Sequence, residues 1–298
     1  MCAISVSWQT CCLVASWDHS NKGDNGLEWR ELGISGLRVP VIGMGTWRTF
    51  DVYGKEDQAD RRKLITHALD LSVRFLDTSP MYGEAERVLG TTLTGRRDRA
   101  IVATKVWSHD LTEGHSQIDR ALLYYEDRID LYQVHNLVRW QEYLPVFERM
   151  KADGTIRAMG VTHYQPSAFA ELASIARNEP IDTIQIPYNP FERAVERELL
   201  PLAAERGLGV IVMRPFGEGT LLQQSPPSSA LRPFRRFGCT SWPQVLLKWI
   251  LSDQRISVVI PATHVAAHLH DNAAAGDGPW FGAAERAEVI ALAQRYCR

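Results

Sequence analysis

Eight short apolar runs, rich in valine and isoleucine and separated by helix-patterned stretches, constrain this chain more than any other feature. They are VPVIGMGT (39–46), VRFLDTS (73–79), AIVATKV (100–106), IDLYQVH (129–135), AMGVTHY (158–164), IDTIQIPY (181–188), LGVIVMRPF (208–216) and ISVVIPAT (256–263). Several lack the period-two alternation of a half-exposed strand, so both of their faces are expected to be buried, as in a parallel sheet. Between them, RRKLITHALDL and YLPVFERMKADG carry helical spacing, and the second stops at Gly154, a C-cap signal just past Lys151. Strand and helix in strict alternation define an α/β fold, and eight repeats point to a closed (β/α)8 TIM barrel. The alternative is a doubly wound sheet. That fold usually shows G-x-G-x-x-G after its first strand, whereas here the first run ends GMGTW (43–47).

Upstream, LEWRELGISGLRVP (27–40) reads as a β-hairpin turning around Gly33 and Gly36. Residues 27–298 are expected to form a single barrel domain. Residues 1–26 read as a disordered extension: they lack the basic start of a secretory signal and are too short to cross a bilayer. The stretch QQSPPSSALRPFRRFG (223–238) is expected to be a mobile loop beside the active face, able to fold over a ligand.

A formal net charge of -2 argues against nucleic acid or an anionic membrane as partner. RRDR (96–99) and RPFRRFG (232–238) read as solvated basic loops. Cys2, Cys11, Cys12, Cys239 and Cys297 form no C-x-x-C pair, which fits reduced thiols in a cytoplasmic protein. His264 and His268 are spaced i, i+4, but no carboxylate-histidine zinc motif accompanies them, so no metal is expected.

Four residues sit where successive runs stop: Asp77 and Tyr82 in LDTSPMYG, Lys105 in ATKVW, and His135 in DLYQVHN. Singly, each has an ordinary reading: a turn aspartate, a core tyrosine, a solvated lysine, a satisfied histidine. In a barrel, however, all strand C-termini converge on the face that carries the chemistry. A phenol beside an ammonium is a tunable acid, a carboxylate can pair the buried ammonium, and an imidazole can donate to a carbonyl oxygen. Such a set suits protonation of an oxygen that gains negative charge. Trp47, Phe50, Tyr53, Trp107 and Trp140 are expected to line an aromatic cleft at the mouth.

These pieces, with GTIRAMGVTHY (154–164), QIPYNP (185–190), RPFGEG (214–219) and VIPATHVAAHLHDN (259–272), resemble the aldo-keto reductase family from residue 27 to about 296. The resemblance implies that the N-terminal hairpin closes the barrel bottom. It also implies that NADPH binds without a Rossmann domain and that a carbonyl is reduced to an alcohol, reversibly. Tyr82 matches the proton donor, Lys105 the group that lowers its pKa, Asp77 the lysine's partner, and His135 the residue that orients the carbonyl. Trp47, Tyr82, Trp107 and His135 match the substrate site. Cofactor positions fall on Gly45, Thr46, Trp47, Asp77, Gln185, Thr162 and His163 (where many relatives carry Ser-Asn), and Met213 (in place of a stacking tyrosine). Further along they fall on Arg214, Pro215, Phe216, Gly217 and Gly219, then Thr263, His264, His268, Asp271 and Asn272. Where many relatives place Lys and Arg for the 2′-phosphate stand Ala262 and His268. The expected preference for NADPH is therefore weakened, with NADH also usable. The substrate would be a small aldehyde or ketone on a sugar, terpenoid or aromatic body, and the protein a monomer or weak homo-oligomer. Two other functions remain open: a cofactor-binding regulatory subunit without turnover, and a lyase using Lys105 as a Schiff-base nucleophile.

Overall fold

The computed structural model describes residues 26–297, so the expectations for residues 1–25, including Cys2, Cys11 and Cys12, lie outside the described residues. The expected hairpin forms from Trp29–Glu31 (β1) and Arg38–Pro40 (β2), paired antiparallel with Arg30 opposite Val39. Its turn uses Gly33 and Gly36, both at positive φ. Gly33 admits no side chain: a Cβ there would meet Gly207 O and Gly209 N at 2.3 Å.

Eight parallel strands follow in spatial order: β3 (Met44–Gly45), β4 (Phe75–Asp77), β5 (Ile101–Val106), β6 (Ile129–His135), β7 (Ile156–Thr162), β8 (Thr183–Pro187), β9 (Gly209–Met213) and β10 (Val258–Val259). Bridges from Ile42 to Val259 and from Gly45 to Ala262 join the first strand to the last. The Gly43 N–H donates to Val259 C=O and the Val259 N–H to Val41 C=O, each at 2.9 Å, so the sheet closes on itself. Around it lie α1 (Lys55–Asp70), α2 (Ala85–Leu93), α3 (Leu111–Tyr124), α4 (Trp140–Ala152), α5 (Phe169–Asn178), α6 (Leu199–Arg206), α7 (Thr220–Gln223), α8 (Trp242–Leu251), α9 (Ala266–Ala274) and α10 (Ala283–Tyr296). Gly154 follows α4 at φ 83°, as its C-cap signal implies.

The strands alternate after all, but between two cores. Leu76, Val102, Tyr132, Val134, Met159, Val161, Ile184, Val210 and Val212 belong to the large outer core between sheet and helices. Phe75, Ala103, Leu131, Ala158, Ile211 and Val258 form a separate inner core. Leu32, Leu37 and Val39 of the hairpin region join that inner core, fully buried, and plug the barrel. Burying a side chain of that size stabilises by roughly 1.5–3 kcal/mol.

One step of two residues above this layer, the same strands present Asp77, Lys105 and Gln133; Gln185 on β8 joins them. The barrel interior thus changes from apolar to polar toward the strand C-termini, where the chemistry of such folds sits. A repeated pattern contributes: Ile129-Asp130-Leu131-Tyr132-Gln133 on β6 and Ile181-Asp182-Thr183-Ile184-Gln185 at β8. Asp130 accepts from the Val102 N–H and Asp182 from the Met159 N–H, both at 2.9 Å, which ties each strand to its neighbour. Three residues on, Gln133 donates from Nε2 to Gln185 Oε1 at 2.9 Å.

Three boundaries differ from the sequence expectation. The run 39–46 divides between hairpin and barrel. The run 256–263 yields only two strand residues, and the run 208–216 ends at Met213, where Arg214 turns to φ 52° before Pro215. The segment 223–238 is no cover for a ligand here. Its Arg232–Phe237 stretch is a 3-10 helix, and Phe234 is buried with its ring centroid 5.3 Å from that of Phe281. None of its residues lines the cavity described next. Among the described residues, no helix is long and apolar enough to cross a membrane.

Candidate active site

A cavity of about 470 Å³ opens at the C-terminal face of the strands. Its floor is set by local sequence. β4 ends at Asp77, and Ser79 then caps a 3-10 turn, Pro80–Tyr82, by accepting the Met81 N–H at 3.2 Å. Proline at the first position presets that turn. The turn aims Tyr82 into the cavity, and His135 at the end of β6 meets it edge-on, ring centroids 5.7 Å apart.

Below them Lys105 is fully buried and donates from Nζ to Asp77 Oδ2 at 2.6 Å and to Thr78 C=O at 2.8 Å. Burial pushes the Asp77 carboxyl up against the pull of Lys105, and pushes the Lys105 ammonium down against the pull of Asp77. The pair satisfies both charges where water cannot. His135 is held well below the usual imidazole range by burial, then by the Lys105 charge and His163, so it is neutral. Burial, reinforced by the Asp77 carboxylate, raises the Tyr82 phenol above its ordinary value; Arg214 opposes this. Lys105, the group expected to lower it, lies below. Its Nζ lies 5.7 Å from the Tyr82 ring centroid and its charge is matched by Asp77.

Of the expected cofactor and substrate residues, Gly45, Thr46, Trp47, Asp77, Tyr82, His135, Gln185, Met213, Arg214, Pro215, Phe216 and Gly219 line this one cavity. Lys105, Thr162, His163, Gly217, Thr263, His264, His268, Asp271, Asn272 and Trp107 do not. Thr162 is buried in register with His135 and Gln185. His163 accepts from the Gln165 N–H and stacks on Tyr164. Thr263 accepts from the Val265 N–H, turning the chain into α9. His264 and His268 are exposed, while Asp271 accepts from Ser241 and Gln244 of the α8 region. The aromatic cleft is corrected too. Only Trp47 of the five lines the cavity; Phe50 is buried in the outer core, and Tyr53 is 72% exposed.

Tyr164, Met81, Leu222, Arg48, Asn136 and Glu218 also line the cavity and were not expected there. The Arg214 guanidinium lies over the Tyr164 ring at 4.1 Å and pairs with Glu218 at 3.0 Å. Tyr164 and Glu218 lie inside quoted motifs, so their neighbours were the available signal. Asn136, at φ 53° just after His135, ends the quoted DLYQVHN run and had the same signal.

This geometry is a closed parallel barrel with a buried Lys-Asp pair under a tyrosine and a neutral histidine at its C-terminal mouth. Residues 41–281 match the model of the aldo/keto reductase family. The chain belongs to that family of NAD(P)-dependent oxidoreductases. It is 31% identical to aldo-keto reductase YhdN of Bacillus subtilis over 65% of this chain and 64% of that protein, just under two thirds of the relative's length. It is 28% identical to methylglyoxal reductase YeaE of Escherichia coli over 80% of this chain and 86% of that one. An aldo-keto reductase from Klebsiella pneumoniae, solved in complex with NADPH, superposes with a TM-score of 0.74 at 26% identity, covering 87% of this chain and 93% of that chain.

Proposed function

We propose that the chain reduces an aldehyde or ketone to the alcohol, reversibly, with Tyr82 as proton donor. The observation that carries this reading is the meeting of Tyr82 and His135 over the buried Asp77–Lys105 pair. A nicotinamide cofactor fits the residues present. Thr46 Oγ1 is buried at the cavity wall without a partner among the described residues, and Gln185, Trp47 and Met213 line the same cavity, where they would hold the nicotinamide. Arg214 with the Pro215–Gly219 loop would take the pyrophosphate. When bound, the cofactor supplies hydride to the carbonyl carbon. NADPH is the expected form, as in the Klebsiella relative. The 2′-phosphate grip would be weakened, because Ala262 and His268 stand where many relatives carry permanent cations.

The chain's own part is proton transfer and alignment. Neutral His135 donates a hydrogen bond to the carbonyl oxygen and steers it to Tyr82. The high phenol pKa keeps Tyr82 protonated until negative charge builds on that oxygen; the proton then moves from Oη to it. The ammonium of Lys105 and the guanidinium of Arg214 stabilise the tyrosinate left behind. Met81, Met213, Phe216 and Leu222 give the cavity apolar walls, suited to a carbonyl on a hydrophobic body or to stacking on a sugar. A Schiff base on Lys105 is disfavoured: its Nζ is bonded to Asp77 and Thr78 and does not line the cavity.

A panel of carbonyl compounds followed by NADPH absorbance tests the reading. Tyr82→Phe is expected to lower kcat by roughly a hundredfold or more with cofactor affinity retained. Full turnover by that variant would remove Tyr82 from the role. Cofactor binding with no turnover of any carbonyl would favour a regulatory protein.

A further inference from the structure

The neutral state of His135 raises a question that its position alone does not answer. A neutral imidazole has one N–H, on either Nδ1 or Nε2, and only one of these serves as donor into the cavity. Nδ1 lies 2.8 Å from Ser79 Oγ, a contact between two buried side chains separated by 56 positions in sequence. No group among the described residues bonds Nε2, and His135 lines the cavity.

The Ser79 hydroxyl has other obligations that settle the direction of this bond. Its oxygen already accepts the Met81 N–H at 3.2 Å, as cap of the turn that carries Tyr82. Ser79 is fully buried, and its hydroxyl has no other acceptor among the described residues. Accepting from Nδ1–H as well would leave the Ser79 proton buried and unbonded, at a cost of about 1–3 kcal/mol. Donating to Nδ1 satisfies every group.

We propose that Ser79 is a positioning residue that fixes the tautomer of His135, its O–H donating to Nδ1 so that Nε2 carries the hydrogen facing the cavity. One hydroxyl thereby aligns both donors, since it also caps the turn that aims Tyr82. The catalytic consequence rests on the reductase reading above; the tautomer itself does not. With the proton on Nδ1 instead, the Nε2 lone pair would face a carbonyl oxygen and repel it.

The test is nitrogen-15 NMR of the histidine rings in the full chain without added cofactor, with the His135 signals identified by their loss in His135→Gln. The Nε2–H form is expected in wild type. Ser79→Ala is expected to show a mixture of both tautomers, and kcat for a reduced carbonyl is expected to fall roughly tenfold to a hundredfold, with cofactor affinity unchanged. A wild-type Nδ1–H form overturns the proposal. So does a Ser79→Ala protein that keeps pure Nε2–H, whatever its kcat, because the loss would then come from the turn alone. If no carbonyl is turned over, the NMR arm still decides the tautomer.

Discussion

At the scale of single residues, the proposed weakening of the 2′-phosphate grip rests on the segment after β10. Between Ile260 and Asn272 the chain carries no Lys or Arg. A charge-assisted hydrogen bond to phosphate is worth about 1.5–3 kcal/mol, or about tenfold to a hundredfold in affinity. An imidazole lacks the permanent charge and fork geometry of a guanidinium. Dissociation constants for NADPH and NADH are therefore expected to lie within about tenfold of each other, and His268→Arg is expected to widen the gap by roughly tenfold. Matched fluorescence titrations measure both; a wild-type preference of about a hundredfold or more would sink the weakened grip. Individual site residues were legible in proportion to how directly a strand end delivers them. Asp77, Lys105 and His135 project from strands, so spacing placed them, while Gln185 came from the resemblance alone. Phe50 and Trp107 sit in loops, whose path spacing does not determine, and the Ser79–His135 bond joins the ends of two strands that are not hydrogen-bonded neighbours, β4 and β6, with β5 between them.

Elements were legible where two periodicities differ, and less so where they end. A strand buried on both faces looks unpatterned until its odd and even residues are assigned to two cores, as with Leu131 inside and Tyr132 outside. Packing between elements carries a consequence that no run of residues announces. Glu86 on α2 is buried and accepts from Thr104 Oγ1 on β5, and burial pushes its carboxyl up from 4.5 to about 7. The folded protein thus holds this proton more tightly than the unfolded chain. Stability from that source is fully present below the unfolded value and is lost as pH rises through about 7, for a total of roughly 3 kcal/mol. Glu86→Gln keeps an acceptor for Thr104 and removes the titration. Urea denaturation at pH 5 and pH 8 is expected to show wild type losing stability relative to Glu86→Gln as pH rises. An unchanged difference between the two pH values would mean that Glu86 ionises in the folded state as freely as in water.

For the whole molecule, the barrel separates what holds it together from what it does. The hairpin plugs one end with Leu32, Leu37 and Val39, and the proposed acid site lies beyond the inner apolar layer at the other. In barrels of this class the N-terminal face serves stability and the C-terminal face chemistry. Gly33 tests that division, because it is pinned at φ 58° directly against the backbone of residues 207–209. The left-handed conformation alone costs an L-residue roughly 1–2 kcal/mol, and a Cβ meeting Gly207 O and Gly209 N at 2.3 Å would force the hairpin away from the barrel. Gly33→Ala is expected to lower unfolding free energy by at least about 2 kcal/mol, with a lower Tm. The kcat/KM of the fraction that remains folded at 25 °C should stay at the wild-type value, since no catalytic group contacts the hairpin. Thermal denaturation paired with active-site titration separates the two effects. A loss of kcat/KM at full folding would show that the plug transmits strain through the inner core to Asp77 and Lys105, and that the two ends of this barrel are not independent.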